Sequence, residues 1–282
     1  MAKSVLQVYH VREDKGVHQT VNIRINGLPA RMLIDTGASH TVFCKRRIHY
    51  FAGDENIEHS NFRAIGMGES FEAFTFPLKN FTIGKICLST YDVLVTDLSL
   101  IERLYGHLID GPIHGVLGGD LLTLPGSMIS FRKHLLRIGG ARSVKIHTLT
   151  LQPSITHLMV QLKIMGKKAN MLVDTGASVT MFNKFRFYEI SSFEEHLLEP
   201  VEEPCKGVKD DNSELSMVNL KEVQIGHVQL HDYRGRLLDL ENVNESYLKM
   251  GYPPLDGIIG NDLLFTYQME LFPADNTLII RS

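Results

Sequence analysis

Residues 32–43 read MLIDTGASHTVF, and residues 171–182 read MLVDTGASVTMF. Each stretch consists of an apolar run, the five residues Asp-Thr-Gly-Ala-Ser and a closing phenylalanine, with the aspartates at positions 35 and 174. Such a long match between two parts of one chain indicates that a single structural unit is used twice.

Other matching segments follow in the same order and extend the repeat over most of the chain. Residues 115–122 read GVLGGDLL, and residues 257–264 read GIIGNDLL. The Ile-Gly pair at 83–84 has a counterpart at 225–226. We therefore predict two homologous domains, residues 1–140 and 141–282, each long enough to bury a core of its own.

The local patterns are mostly those of β-strands. Val21, Ile23 and Ile25 alternate with polar residues, which is typical of a strand buried on one face. The runs at 32–34 and 171–173 are continuously apolar, which predicts strands buried on both faces. Both runs lead directly into an Asp-Thr-Gly-Ala-Ser motif, so each aspartate should stand at the end of a buried strand.

A few short helices are predicted among the strands. Ser99 and Glu102 have the spacing of a capping box, and Asn242 with Glu245 repeats that spacing in the second half. A further short helix is expected to begin at Asp120 and, in the second half, at Asp262, where a carboxylate can cap the first turn.

The composition is that of a globular protein without strong charge. The formal net charge of −3 gives no electrostatic reason to expect a nucleic acid or an anionic membrane as partner. The start lacks the apolar run of a signal peptide, and no segment reaches the length of a membrane span. Three scattered cysteines predict neither a disulfide framework nor a zinc site. These features favour a cytoplasmic protein, although a chain that had lost a signal sequence would look the same.

The duplicated aspartates are the strongest chemical signal. One Asp-Thr-Gly is most simply a tight turn, in which the aspartate bonds its own backbone and glycine provides a positive φ. Two copies in equivalent places need an explanation beyond a tight turn, because the burial of an unpaired carboxylate costs free energy. Two facing carboxylates about 3 Å apart cannot both ionise and therefore share one proton. Asp35 and Asp174 are thus predicted to form a pair that activates a water molecule, without a metal or other cofactor.

The thirteen histidines are an alternative source of chemistry, as metal ligands or as partners of a nucleophile. Those of the first part of the chain, His10, His18, His40, His49 and His59, show no HExxH spacing and no repeat between the halves. An active site divided between homologous halves should repeat its chemistry. We therefore expect ordinary surface or core histidines and no metal site.

With these motifs, the chain resembles the retropepsin-type aspartic peptidases in a fused, single-chain, pepsin-like arrangement. The resemblance is carried by Asp-Thr-Gly-Ala-Ser at 35–39 and 174–178 and by the apolar-apolar-Gly segments at 116–118 and 258–260. It implies an all-β, two-lobed fold in which each lobe is a small closed barrel with short helices. The terminal strands and the strand at the junction should form a shared sheet at the base.

The resemblance also implies a role for each motif residue. Asp35 and Asp174 would be catalytic. The supporting residues would be Thr36 and Thr175, which bond across the two halves, together with Gly37, Ala38, Gly176 and Ala177. The substrate-binding flaps would carry Gly66, Met67 and Gly68 in the first half and Gly207 and Val208 in the second.

The sequence departs from the family at two points. Retroviral members place an acidic residue after Asp-Thr-Gly-Ala and an arginine after apolar-apolar-Gly, whereas Ser39, Ser178, Gly119 and Asn261 stand here. Pepsins have Ser or Thr at the positions of Ala38 and Ala177, and that hydroxyl lowers the pKa of the carboxylate. Its absence predicts an activity optimum less acidic than that of pepsin.

The predicted function is an aspartic endopeptidase that acts on a peptide or protein substrate, with the complete site in a monomer. The alternative is a non-catalytic peptide-binding protein that retains the fold, although a binder would need neither carboxylate. A third possibility is an enzyme that processes only itself.

Overall fold

The computed structural model describes residues 3–13, 16–53, 62–66, 69–105, 108–140, 149–150, 152–153, 157–191, 199–201 and 215–280. The strands of the first half are β1 Ser4–Glu13, β2 Gly16–Ile25, β3 Leu28–Ile34, β4 Val42–Cys44, β5 Phe62–Gly66, β6 Glu69–Ile83, β7 Ile86–Thr96, β8 Gly115–Leu117, β9 Met128–Ser130 and β10 Leu135–Ile138. Those of the second half are β11 Leu149–Thr150, β12 Gln152–Pro153, β13 Leu158–Ile164, β14 Lys167–Val173, β15 Met181–Asn183, β16 Glu199–Val201, β17 Leu215–Ile225, β18 Val228–Leu238, β19 Gly257–Ile259, β20 Glu270–Phe272 and β21 Thr277–Ile279. The helices are α1 Ile48–Ala52, α2 Ser99–Tyr105, α3 Gly119–Leu122, α4 Lys184–Ser191, α5 Glu241–Lys249 and α6 Asn261–Thr266, with a 3₁₀ turn at Pro273–Asp275.

The two halves build the same strand arrangement around their aspartates. In the first half, β3 pairs in parallel with β8, so that Met32 lies opposite Gly115. In the second half, β14 pairs in parallel with β19, and Met171 lies opposite Gly257. Long antiparallel hairpins, β6–β7 and β17–β18, complete each sheet. The predicted all-β fold with barrel-like sheets and short helices is confirmed.

A shared sheet joins the halves at the base, as predicted. Strand β20 of the second half pairs antiparallel with β9 of the first, with Glu270 opposite Ser130. On one side β9 pairs with β10 and β10 with β1, and on the other β20 pairs with β21 and β21 with β11. Ile129 and Leu271, opposite each other in this sheet, are fully buried in one apolar cluster with residues of both halves. Burial of each such side chain contributes about 1.5–3 kcal/mol to stability.

The burial of the strands follows their sequence pattern. In β2, Val21, Ile23 and Ile25 are buried while Asn22 and Arg24 between them are exposed, as the alternation predicts. The apolar runs at the ends of β3 and β14 are buried throughout, which again matches the prediction. Each aspartate therefore follows a strand that is fixed in the core.

The helix caps differ from the predicted ones. The backbone N–H of Ser99 donates to Asp97 Oδ1 at 2.9 Å, and that of Glu241 donates to Asp239 Oδ1 at 2.9 Å. The predicted capping boxes at Ser99 and Asn242 are therefore wrong, because a carboxylate two residues ahead satisfies a free N–H and complements the helix dipole. The helices expected at Asp120 and Asp262 are present but begin one residue earlier, at Gly119 and Asn261.

Two further helices, α1 and α4, follow β4 and β15 and were not predicted. Each buries one phenylalanine, Phe51 and Phe187, against the core. No helix in the described ranges is long and apolar enough to cross a membrane.

Candidate active site

Two backbone loops carry the aspartates, and each is held from behind by an apolar-apolar-Gly strand. The N–H of Asp35 donates to the carbonyl of Leu117 at 3.1 Å, and the N–H of Asp174 donates to that of Ile259 at 3.0 Å. Because β8 and β19 are buried along their whole length, they give each loop a rigid support.

The two loops are locked together by their threonines. Thr36 Oγ1 donates to the carbonyl of Val173 at 2.7 Å and accepts from the N–H of Thr175 at 3.1 Å. Thr175 Oγ1 donates to the carbonyl of Ile34 at 2.8 Å and accepts from the N–H of Thr36 at 3.0 Å. Both threonines are buried and cannot bind water, so these four bonds satisfy their hydroxyl and N–H groups.

The glycines bring the two carboxyl groups next to the opposite loop. A Cβ placed on Gly37 would lie 2.6 Å from the Asp174 carboxyl, and one on Gly176 would lie 2.6 Å from that of Asp35. Real Cβ atoms do not approach other atoms so closely, so only glycine fits at either position. Each loop therefore contributes one aspartate and, at its glycine, the space that the aspartate of the opposite loop occupies.

The hydrogen bonds to the two carboxyl groups are unequal. Asp35 Oδ1 accepts from the N–H groups of Gly37 at 2.8 Å and Ala38 at 3.0 Å. Asp174 Oδ1 accepts from the N–H of Gly176 at 2.7 Å, whereas the N–H of Ala177 donates to the backbone carbonyl of Asp174. The loops thus share a sequence but not a complete hydrogen-bond pattern.

The electrostatics of the pair favour a shared proton. Burial of the Asp35 carboxyl raises its pKa well above the usual value of an aspartate. The charge of Asp174, and a hydrogen bond that protonated Asp35 donates to the Asp174 side chain, raise the pKa of Asp35 further, while the N–H groups of Gly37 and Ala38 act in the opposite direction. The raised pKa of Asp35 thus favours a pair that holds one proton over two charged carboxylates.

A second duplicated group supports the loops from below. The N–H and hydroxyl of Thr41 donate to the carboxylate of Asp120 at 2.9 and 2.7 Å. Those of Thr180 donate to Asp262 at 2.8 and 2.7 Å. Asp120 and Asp262, predicted only as helix caps, therefore also anchor the strands that leave the two loops.

Asn261 gives the second loop a contact that the first loop lacks. Its side-chain Nδ2 donates to the carbonyl of Thr175 at 2.7 Å, and the residue is fully buried. The equivalent residue of the first half is Gly119, which has no side chain to make such a bond. The two positions at which retroviral members have arginine thus differ from each other here. The side chain of Asn261 binds the backbone of the second loop, and Gly119 has no side chain to bind the first.

Most of the predicted flap residues lie outside the described residues. Gly66 is the last residue of β5 and pairs with Glu69 of β6. Met67, Gly68, Gly207 and Val208 are not among the described residues, so their proposed contact with substrate stays a prediction.

Sequence reasoning missed a duplicated pair of a histidine and a tyrosine. His18 and His157 lie 17 residues before Asp35 and Asp174, and both have a tyrosine ring beside them. The expectation that no histidine repeats between the halves is therefore wrong. The signal was present in the sequence, since the two histidines are separated by the same number of residues as the two aspartates. It appears only when the two halves are aligned position by position.

Within the described part of the chain, no cluster of three or more His, Cys, Asp or Glu side chains could hold a metal ion.

Comparison with known proteins agrees with the geometry of the first loop. A family model described as aspartyl protease matches residues 21–121, which include the Asp35 loop, β8 and the start of α3. No curated protein matches the chain with significant similarity.

Proposed function

Residues 21–121 carry a retropepsin-like aspartyl protease domain, and from this premise we propose that the chain is an aspartic endopeptidase with Asp35 and Asp174 as its catalytic pair. The observation that carries the proposal is the close approach of each carboxyl group to the glycine of the opposite loop. That arrangement puts one aspartate from each half at a common centre.

In the proposed reaction, a water molecule lies between the two carboxyl groups. The charged aspartate removes a proton as the water oxygen attacks the peptide carbonyl, and the protonated aspartate donates to the carbonyl oxygen. The raised pKa of Asp35 supports a pair that holds one proton at the start of this first step. Collapse of the tetrahedral intermediate then breaks the C–N bond, and the amine leaves with a proton returned by the pair.

We further propose that one chain supplies the whole site. The support is the set of reciprocal bonds between Thr36 and Thr175, which join the two loops within the same polypeptide. The substrate would be an extended peptide that lies between the halves and pairs with strand edges, a recurring mode of peptide recognition. We propose a cytoplasmic location. We propose neither a nucleic acid nor a membrane as a partner.

Cleavage of a peptide library or of casein, with and without pepstatin, tests the proposal. Asp35→Asn and Asp174→Asn should each lower turnover at least ~1,000-fold, since each removes a group that acts in proton transfer. Asp232→Asn is the matched control, because Asp232 is exposed and pairs with the exposed Lys221.

The outcomes separate the three candidate functions. Unchanged cleavage by either active-site variant would disprove the catalytic pair. Peptide binding without any turnover by the wild-type chain would favour a non-catalytic binder, and defined fragments of the chain alone, with no cleavage of added peptides, would favour self-processing.

A further inference from the structure

The strand behind each aspartate is preceded by a residue whose side chain binds the neighbouring strand. In the second half Asp256 directly precedes β19, and its Oδ2 accepts from the backbone N–H of Asn170 on β14 at 2.7 Å. In the first half His114 directly precedes β8, and its Nδ1 accepts from the backbone N–H of Arg31 on β3 at 2.9 Å. The N–H of each residue donates back to the carbonyl of the same partner at 2.8 Å. An imidazole thus replaces a carboxylate at equivalent places of the two halves.

The bond in the first half fixes the protonation state of His114. A backbone N–H can only donate, so Nδ1 of His114 carries a lone pair and the neutral ring has its proton on Nε2. A second proton on the ring would occupy Nδ1 and remove the bond to Arg31. Imidazoles titrate near pH 6.5 and carboxylates near pH 4. Mild acidification therefore removes the acceptor of the first half and leaves the carboxylate acceptor of the second.

The charged partners of the two acceptors differ as well. Arg186 on α4 donates to Asp256 Oδ1 at 3.0 Å, so this carboxylate is paired with a guanidinium. Alignment of the two aspartate motifs matches Arg186 with Arg47, which directly precedes α1 and donates to Glu102 on α2 at 2.9 Å. A proton on Asp256 would neutralise a charge that faces an arginine, whereas a proton on His114 adds a positive charge to a site that already contains one.

The surroundings of His114 favour its neutral form. The titratable and charged residues around it are Arg31 on β3, Arg47 and Tyr50 at the start of α1, Glu102 on α2, and Cys44 on β4, whose backbone N–H binds the His114 carbonyl. Burial lowers the pKa of His114, the charges of Arg47 and Arg31 lower it further, and the charge of Glu102 opposes them. A backbone carbonyl beside the ring would raise this pKa, but the observed bond comes from the N–H of Arg31 and favours the neutral ring.

We propose that His114 is a positioning residue that makes the support of the Asp35 loop dependent on pH, whereas Asp256 keeps that of the Asp174 loop constant over the same pH range. His114 stands at the start of β8, and the carbonyl of Leu117 at the end of β8 accepts from the N–H of Asp35 at 3.1 Å. Loss of the bond to Arg31 opens the start of the β3–β8 pair that carries this loop. The effect on the strands is independent of the proposed function, and the effect on turnover rests on it.

The direction of the effect follows from linkage. Because the pKa of His114 is lowered on folding, the unfolded chain binds this proton more readily than the folded protein. The contribution of His114 to stability is fully present above the ordinary histidine value of about 6.5, and it is lost as pH falls through the lower folded value. Acidification should therefore loosen the first half before the second.

Amide hydrogen exchange at the two bonded N–H groups tests the proposal within one molecule. An NMR titration of the His114 ring from pH 7.5 to 4.5 locates its protonation. After correction for intrinsic rates, protection of the Arg31 N–H should fall ~10-fold across that step, and protection of the Asn170 N–H should change less than ~2-fold. Equal behaviour of the two amides would overturn the proposal.

Variants of His114 separate the acceptor from its titration. His114→Asn keeps an acceptor, because Oδ1 of asparagine takes the place of Nδ1, and it binds no proton in this range. Its Arg31 protection should stay within ~2-fold from pH 7.5 to 4.5, whereas His114→Leu should show ~10-fold lower protection even at pH 7.5. His231→Asn, at an exposed histidine of β18, is the control and should titrate like the wild type. Wild-type pH dependence in His114→Asn, or wild-type protection in His114→Leu, would overturn the role of His114.

Turnover shows whether the strand pair positions Asp35. The ratio of kcat at pH 5 to kcat at pH 7 should be at least ~3-fold higher in His114→Asn than in the wild type, with KM within ~2-fold. The comparison is made between these two proteins because burial also lowers the pKa values of His10, His18 and His157. An unchanged ratio would overturn the positioning role. A wild-type chain that cleaves nothing but loses Arg31 protection selectively would instead disprove only the catalytic function.

Discussion

The loops that follow Asp35 and Asp174 share one sequence motif and one set of cross-bonds, yet they are held by different neighbours. The Asp35 carboxyl receives two backbone N–H groups and that of Asp174 receives one. Asn261 binds the backbone of the second loop, and Gly119 at the equivalent position of the first half has no side chain to make such a bond. The duplication thus supplies a symmetric framework, and the differences around it allow two identical side chains to do different work.

The largest expected effect tests the symmetric part of the comparison. Gly37→Ala and Gly176→Ala should each lower activity at least ~100-fold, because the new methyl would lie 2.6 Å from the opposite carboxyl. Since the two approaches are equally close, the losses should be similar. The measurement is kcat/KM together with the near-ultraviolet circular dichroism of each variant, which reports whether the fold is kept.

A variant with unchanged activity would contradict this crowding directly. A difference of more than ~10-fold between the two alanine variants would show that the glycines are not equivalent, despite their matching contacts.

The second prediction concerns the shared proton and its dependence on pH. Because the pKa of Asp35 is raised on folding, the folded protein binds this proton more tightly than the unfolded chain. The resulting stabilisation is fully present below the unfolded pKa of about 4 and is lost as pH rises through the folded value. Asp35→Asn, which stays neutral, should therefore raise the free energy of unfolding by about 1–3 kcal/mol at pH 7 and change it little at pH 3.

Denaturant unfolding of the wild type and of Asp35→Asn at both pH values checks this expectation. Asp232→Asn, which alters an exposed carboxylate, is the reference for the general effect of removing a charge. Equal gains at pH 3 and pH 7 would exclude the raised pKa as their cause.

The third prediction addresses the asymmetry below the loops. Asn261→Ala removes the bond to the Thr175 carbonyl, and the free energy of unfolding should fall by about 1–2 kcal/mol. Asn22→Ala on the exposed face of β2 is the control, and it should change stability by less than about 0.5 kcal/mol. Thermal unfolding measures both, and equal effects would show that the buried bond contributes nothing specific.

How far the sequence predicted this molecule depends on the range of each interaction. The paired motifs around Asp35 and Asp174 were predictable, since a repeated buried strand and turn is a local pattern that occurs twice. The caps at Asp97 and Asp239 were missed because Ser99 and Asn242 match a more familiar pattern, and sequence alone does not decide which side chain reaches the free N–H. The contact of Tyr247 with His157 joins residues 90 positions apart, so only the folded chain reveals it. The predicted flaps around 66–68 and 207–208 remain predictions.

The smallest expected effect comes from the second of two equivalent turns, in the variant Met165→Asn. The β2–β3 turn contains Asn26 at φ 49°, and the β13–β14 turn contains Met165 at φ 48°. Asparagine tolerates this left-handed conformation better than methionine does, and Met165 is 45% exposed, so little packing would be lost. Met165→Asn should therefore raise the free energy of unfolding by about 0.5–1 kcal/mol.

The reverse exchange should not be its mirror image. Asn26 Nδ2 donates to the carbonyl of Phe51 at 2.9 Å, and Asn26 Oδ1 accepts from Asn80 at 3.0 Å. Asn26→Met therefore loses two hydrogen bonds in addition to its favourable backbone conformation, and it should cost about 1.5–3 kcal/mol. Chemical denaturation of both variants measures the difference. Equal and opposite changes would show that the two turns differ only in backbone preference, and that the contacts of Asn26 add nothing to stability.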